Sequence, residues 1–339
     1  MTEQPEQGQP VLELADLTVG FGHGGATEVV HGVALRIDAG EMVGMVGESG
    51  SGKTMTAMAA AALLPSGATS STSTWRFEGR DLRTADQGAL ADALGGRLAV
   101  VFQDPMSSLN PARRIGAQMG DVVRVHGGRT RAEALADAVD RLRRVRIAHP
   151  EQRVRDHPHR FSGGMRQRAM IAMGLMSTPR LLVADEPTTA LDVTVQADVM
   201  DLITELNRNE GTAVLLVSHN ISLIAEVCHR VVVMYAGRIV ERLDVADLQR
   251  ALHPYTRALI GSVPTLDGPR DEPLPTIPGS PPDPSDLPAG CAFADRCPLV
   301  EEQCRTEVPH LVALDGGDDD RQPAVACHVA IRKTTGAAT

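Results

Sequence analysis

Along the chain, short apolar runs alternate with stretches of helical periodicity as far as about Arg242. Val11–Val19 and Val29–Ile37 read as early strands, and Met42–Val46 runs straight into a glycine-rich loop. Leu98–Phe102, Leu181–Ala184, Ala213–Val217 and Val231–Tyr235 are short apolar runs, the pattern of strands covered on both faces. Between them, Arg131–Val145 places Leu135, Val139, Leu142 and Val145 at helical spacing. Strands alternating with helices predict an α/β domain with a largely parallel sheet. The pattern breaks after about residue 250. Residues 263–290 carry nine prolines, Pro281-Pro282 among them, which excludes long regular elements there. A cysteine-bearing tail follows, then a Gly-Asp run at 316–320 that is expected to be a solvated loop. No internal repeat is present.

Composition narrows the class. A length of 339 residues fits two domains at about 150 residues each, and 42% hydrophobic with 22% charged residues is the balance of a globular protein with a real core. A net charge of −10 argues against a nucleic-acid clamp, because neutralising a phosphate backbone takes clustered Lys and Arg; a local basic patch stays open. Met1–Pro10 is polar and acidic, without a secretory pattern. The longest apolar run, Met55–Leu64, is far short of the roughly 20 residues of a spanning helix. The expectation is a cytosolic chain that needs another protein to hold it at a membrane, and five cysteines there are not expected to form disulfides.

The glycine-rich loop carries chemistry. Gly47-Glu48-Ser49-Gly50-Ser51-Gly52-Lys53-Thr54 fits G-x-x-x-x-G-K-[ST] after an apolar strand and before a helix-compatible run. Glycines let backbone N–H groups face phosphate oxygens at the positive end of a helix. Lys53 is placed for the β- and γ-phosphates and the Thr54 hydroxyl for Mg²⁺. Leu181–Glu186 reads as a buried strand ending in two carboxylates. Behind such a loop, Asp185 is expected to hold Mg²⁺ and Glu186 to orient and deprotonate an attacking water; by itself the pair would be a solvated strand end. Phe161-Ser162-Gly163-Gly164-Met165-Arg166-Gln167-Arg168 opens a second helix with a second anion-binding terminus. One nucleotide does not need two such loops from one chain, but two chains arranged head to tail do. The plainer alternative is an ordinary helix cap.

These motifs resemble those of an ABC ATPase nucleotide-binding domain. That resemblance implies a P-loop RecA-like core with an antiparallel β subdomain and an α-helical subdomain near residues 104–175, within a cassette over 1–250. A cysteine-containing extension would cover 251–339. The family signature is Leu-Ser-Gly-Gly-Gln; here Phe161 and Met165 replace its first and last positions, while Ser162, Gly163 and Gly164, the γ-phosphate contacts, are present. The resemblance makes Gln103 the Mg²⁺-sensing glutamine that couples to a transmembrane partner, Asp192 the dimer-interface aspartate, and His219 the histidine that contacts the γ-phosphate. Phe21, in a glycine-flanked segment, falls where the family stacks an aromatic ring on adenine; a packing role is the alternative.

Cys291, Cys297, Cys304 and Cys327 form C-x5-C-x6-C-x22-C. Thiols gathered in a reducing compartment point to metal. The pattern lacks the tight pairs that zinc favours and can fit an iron–sulfur cluster; spacing leaves iron–sulfur, zinc and free thiols open. Cys228 lies in an apolar stretch and is read as a buried thiol.

Nearly the whole chain resembles the ATP-binding subunits of oligopeptide/dipeptide and nickel importers. The segments that carry this are 104–111, 185–196, His253–Thr256, Ile277–Pro282 and the cysteine region. The resemblance implies a [4Fe–4S] cluster on the four cysteines, with ATP and Mg²⁺ as the other cofactors. It also implies a second ATPase subunit, as paralogue or second copy, two permease subunits, an extracytoplasmic substrate-binding protein, and a place at the cytoplasmic face of the membrane. Nucleic acid is not an expected partner. Permease-free ABC ATPases are the rival class; their fused cassettes or coiled-coil insertions do not occur here. Cargo is not readable, and nickel or another small solute remains an alternative.

Overall fold

The computed structural model describes residues 10–22, 25, 27–102, 108–189, 192–263, 276–317 and 319–335. The chain divides into two compact units. The first comprises Met1–Val11, Ile37–Glu41 and Phe77–Leu215; the second comprises Leu12–Arg36, Met42–Arg76 and Leu216–Thr339. The boundary falls inside a strand, Ala213–Ser218.

In the second unit, β1 (Pro10–Phe21) lies between β2 (Thr27–Asp38) and β5 (Thr74–Phe77), and also pairs antiparallel with β4 (Ala68–Ser71). These strands supply the expected antiparallel β layer, with Leu12, Leu14, Leu17 and Val19 of β1 buried. A second sheet of the same unit includes β3 (Met42–Val46), parallel to β10 (Arg230–Tyr235), and continues through β11 (Arg238–Asp244) to β13 (Ala324–Val325) and β12 (Val312–Ala313). Every residue of β3 and β10 is buried, which is why Met42–Val46 and Val231–Tyr235 read as unbroken apolar runs. Pairing of β11 with β13 makes the cysteine tail part of this unit.

Among the described residues of the tail's Gly-Asp run, Gly316, Gly317 and Asp319 are exposed, as expected of a solvated loop, and Asp320 at its end anchors two arginines. The buried Arg242 donates to the Asp320 carboxylate at 3.1 Å, and Arg230 donates to the Asp320 carbonyl at 3.1 Å. Two buried guanidinium groups need acceptors; Asp320 supplies one to each, and the carbonyls of Gln322 and Arg36 supply others.

In the first unit, β7 (Leu98–Val101) and β8 (Leu181–Asp185) run parallel. Helices Ile115–Gly127, Arg131–Arg144, Pro150–Arg153 and Gly163–Gly174 fill the segment between them, where the helical subdomain is expected. Thr130 and Glu133 close a reciprocal capping box on the helix Arg131–Arg144. That helix buries Ala134, Ala138 and Leu142, whereas Leu135 is 39% exposed, so the core-facing stripe runs one position away from the larger residue. Alanines at i and i+4 allow close helix packing that Leu135 would obstruct. Among the described residues, no helix is long and apolar enough to cross a membrane.

Candidate nucleotide site

The loop after β3 and the helix Lys53–Ala60 form the candidate phosphate site in the second unit. Gly47 can only be glycine, since a Cβ there would lie 2.2 Å from the Met234 carbonyl and 2.8 Å from Ser51 Oγ. Gly52 caps the helix in the left-handed region, at φ 95°, a conformation that glycine adopts without steric cost. Ser51 is buried, whereas Ser49 and Gly50 stand at the exposed rim. Lys53 is also buried and curls over the loop, its Nζ donating to the carbonyls of Gly47 at 2.7 Å and Glu48 at 2.9 Å. Ser51 Oγ lies 3.3 Å from the same ammonium. Thr54 is half-buried in the first helical turn.

The same unit holds Phe21 and His219. Phe21 ends β1, opposite Ala68 of β4, and is half-buried. His219 is exposed just beyond the strand Ala213–Ser218, and the following Asn220 caps the helix Ile221–Val227 through the N–H groups of Ser222 and Leu223.

The first unit carries the acidic and signature residues. Asp185 ends β8 and is 2% exposed; Glu186 follows it in the left-handed region, at φ 50°. Thr189 Oγ1 donates to Glu186 Oε2 at 2.7 Å, fixing the carboxylate. Ser162 caps the helix Gly163–Gly174, accepting from the Met165 N–H at 3.4 Å, and Phe161 is buried in the apolar position that the family gives to leucine. Asp192 caps the helix Val193–Glu210 through the Val195 N–H at 3.0 Å. The signature packs against the first turn of the helix that Asp192 caps: a Cβ on Gly164 would stand 2.6 Å from Val195 Cγ1. Gln103 lies outside the described residues. The Thr54 hydroxyl and Asp185 carboxylate are hard oxygen donors, the chemistry that Mg²⁺ selects.

The four tail cysteines share one neighbourhood without forming a ligand set. Cys304 and Cys327 are buried with Ala294, Val325, Val329 and Ala330, and Cys291 packs against them. The Cys291 N–H donates to the Cys304 carbonyl at 2.8 Å, and Cys297 Sγ accepts from the Leu299 N–H at 3.4 Å. All five cysteines are free. Burial pushes the Cys291 thiol up to about 11, with smaller contributions from the other three, and raises Cys297 and Cys327 as well. Among the described residues, no three His, Cys, Asp or Glu side chains are grouped to hold a metal ion. The expected cluster is therefore not matched by this arrangement, in which apolar packing surrounds Cys304 and Cys327 and a local hydrogen bond reaches Cys297 Sγ.

Three contributors escaped the motif reading. Thr189 sits inside a quoted segment without an assigned role. Tyr255 and Arg296 bond to Glu48 from positions 207 and 248 residues away, a distance at which local sequence carries no signal.

Residues 30–189 match the ABC transporter family, and residues 240–304 match the oligopeptide/dipeptide transporter C-terminal region. A probable peptide ABC transporter ATP-binding protein of Sinorhizobium fredii is 47% identical over 91% of this chain and 92% of its own length. The oligopeptide transport ATP-binding protein OppD of Salmonella typhimurium is 43% identical over 91% and 92% of the two chains. The probable D,D-dipeptide transport ATP-binding protein DdpD of Escherichia coli is 44% identical over 93% and 96%. Among solved structures, a dimeric ATP-binding cassette in a post-hydrolysis state bound to ADP and Pi aligns over 69% of this chain and 98% of its own. Its TM-score of 0.61 at 23% identity shows the shared fold. Fold, motifs and full-length relatives agree, and the chain belongs to the ABC transporter family as an ATP-binding subunit of the oligopeptide/dipeptide type.

Proposed function

We propose that this chain binds ATP with Mg²⁺ between itself and a second cassette, and hydrolyses it to drive peptide uptake through partner permeases. The observation that carries the reading is Glu186, held by Thr189 directly after the buried Asp185. Glu186 takes the proton of a water attacking the γ-phosphate, leaving ADP and inorganic phosphate. Lys53 and the loop N–H groups hold the β- and γ-phosphates, and Phe21 stacks on adenine. Ser162, Gly163, Gly164 and Asp192 face the partner's nucleotide, and His219 contacts the γ-phosphate. Mg²⁺ would be held by Thr54, Asp185 and Gln103 and would neutralise charge on the phosphates.

The chain is held at the cytoplasmic face by two permease subunits, and an extracytoplasmic binding protein delivers the peptide. Affinity purification from detergent-solubilised native membranes tests this. Co-elution of two permeases, a second cassette and a substrate-binding protein supports the importer, whereas a chain that elutes alone from the soluble fraction removes it. Uptake of labelled peptides against nickel by the reconstituted assembly decides the cargo class.

The [4Fe–4S] cluster is a separate part of the proposal and rests on the four-cysteine pattern. It requires the four thiols to draw together on assembly. Equal iron and acid-labile sulfide in anaerobically purified protein would support it; their absence leaves the cysteines as packed thiols.

A further inference from the structure

A guanidinium from the cysteine tail reaches into the phosphate loop. Arg296 Nη1 donates to Glu48 Oε2 at 2.6 Å and Nη2 to Glu48 Oε1 at 2.9 Å, the two-pronged geometry that makes arginine–carboxylate pairs strong and directional. Its other donors go to Tyr235 Oη at 3.0 Å and to the carbonyls of Pro278 at 2.8 Å and Ile277 at 3.4 Å. These five bonds match the five N–H donors of a guanidinium. The group is buried and lies 5.7 Å and 5.8 Å from the ring centroids of Tyr235 and Phe293. Glu48 is gripped at its backbone as well: its N–H donates to Tyr255 Oη at 2.8 Å, and its carbonyl accepts from Lys53 Nζ at 2.9 Å.

We propose that Arg296 is a positioning residue for ATP, acting through Glu48 on Lys53 and the phosphate loop. The proposal rests on reading residues 47–54 as the phosphate site. Arg296 has two effects. It pins the side chain of the residue whose carbonyl holds Lys53, and it neutralises a carboxylate that would otherwise repel the triphosphate. A lysine has no planar fork and reproduces only the second effect.

The test is equilibrium binding of Mg-ATP to the full-length chain, with KM and kcat measured in the assembled transporter. Arg296→Ala is expected to weaken ATP binding about tenfold and to raise KM in step, with kcat little changed, because Arg296 does not reach the reacting atoms. Arg296→Lys should fall between that and the parent. Adding Glu48→Gln to Arg296→Ala should recover part of the loss, since it removes the uncompensated charge; a purely structural role for Arg296 would give no recovery. Parent-like affinity in Arg296→Ala, or a double variant that binds no more tightly than Arg296→Ala, overturns the proposal. Should Arg296→Ala fail to fold, Arg296→Lys decides alone: weakened ATP binding supports the proposal and parent affinity overturns it. Lys53→Ala is a separate control, because unchanged ATP binding there would remove the phosphate-site reading itself.

Discussion

The Thr189 hydroxyl donates to Glu186 Oε2 at 2.7 Å, while Glu186 itself occupies the left-handed region at φ 50°. A non-glycine residue held there costs of order 1–3 kcal/mol and persists only where its surroundings over-determine it. Those surroundings are the buried end of β8 and the Thr189 N–H, which donates to the Glu186 carbonyl at 3.2 Å. The arrangement aims one carboxylate and restricts its rotation, as a general base requires.

Glu186→Gln keeps shape and loses basicity. ATP binding should persist while turnover falls by about a hundredfold or more. Thr189→Val frees the carboxylate and should lower kcat about threefold to tenfold with KM nearly constant. Steady-state ATPase assays on the assembled transporter measure both, and parent turnover in Glu186→Gln would remove it as the base.

Gly164 has no room for a side chain against Val195. Gly164→Ala should destabilise the chain by about 1–3 kcal/mol through overpacking against a stiff β-branched residue. Val195→Ala in the same chain should restore most of the lost melting temperature. A melting temperature unchanged in Gly164→Ala would refute the close approach.

His253 is 1% exposed, and its Nδ1 accepts from the Tyr255 N–H at 3.1 Å. Burial drives its pKa down to about 3, against a smaller upward pull from a backbone bond to Ala326. The folded value lies below the unfolded one of about 6.5, so its contribution is complete above about pH 6.5 and is lost as pH falls toward 3. His253→Asn keeps an acceptor for the helix cap and removes the titration. The parent should lose up to about 1.4 kcal/mol per pH unit more than this variant between pH 6 and 4.5. Denaturant unfolding of both chains across that interval measures the difference, and parallel pH profiles would count against it.

Cys228 packs beside the backbone of Gly44, and burial pushes its thiol up to about 12. Its thiolate is scarce at neutral pH, so iodoacetamide should leave it unmodified in the folded chain and label it once the chain unfolds. Peptide mass spectrometry before and after denaturation reads this directly. Rapid labelling of the folded chain would contradict the packing.

Much of the nucleotide site is legible in the sequence because each part is local. The loop at 47–54, the carboxylates ending Leu181–Glu186 and the cap at Ser162 are runs of consecutive residues whose geometry follows from glycine freedom, strand burial and helix capping. The strands buried on both faces were equally readable. The short strands β4, β12 and β13 were not, because they carry too few residues to show a period. In β11 the sequence Arg-Ile-Val-Glu-Arg-Leu-Asp reads as half-solvated, yet Glu241 and Arg242 are buried.

What the sequence by itself determined is the class of chemistry and the strand–loop–helix frame that presents it. What only the tertiary structure decided is which distant groups satisfy the buried charges. Glu241 caps the N–H groups of Leu252 and His253, Arg242 is met by Asp320, and Glu48 by Arg296. It also decided that Cys304 and Cys327, with Cys291 against them, pack in an apolar cluster that no sequence spacing announces. The physical reason is the same throughout. Desolvating a charged or polar group is costly unless a partner is supplied, and the partner's identity depends on how the chain folds back, not on its neighbours in sequence.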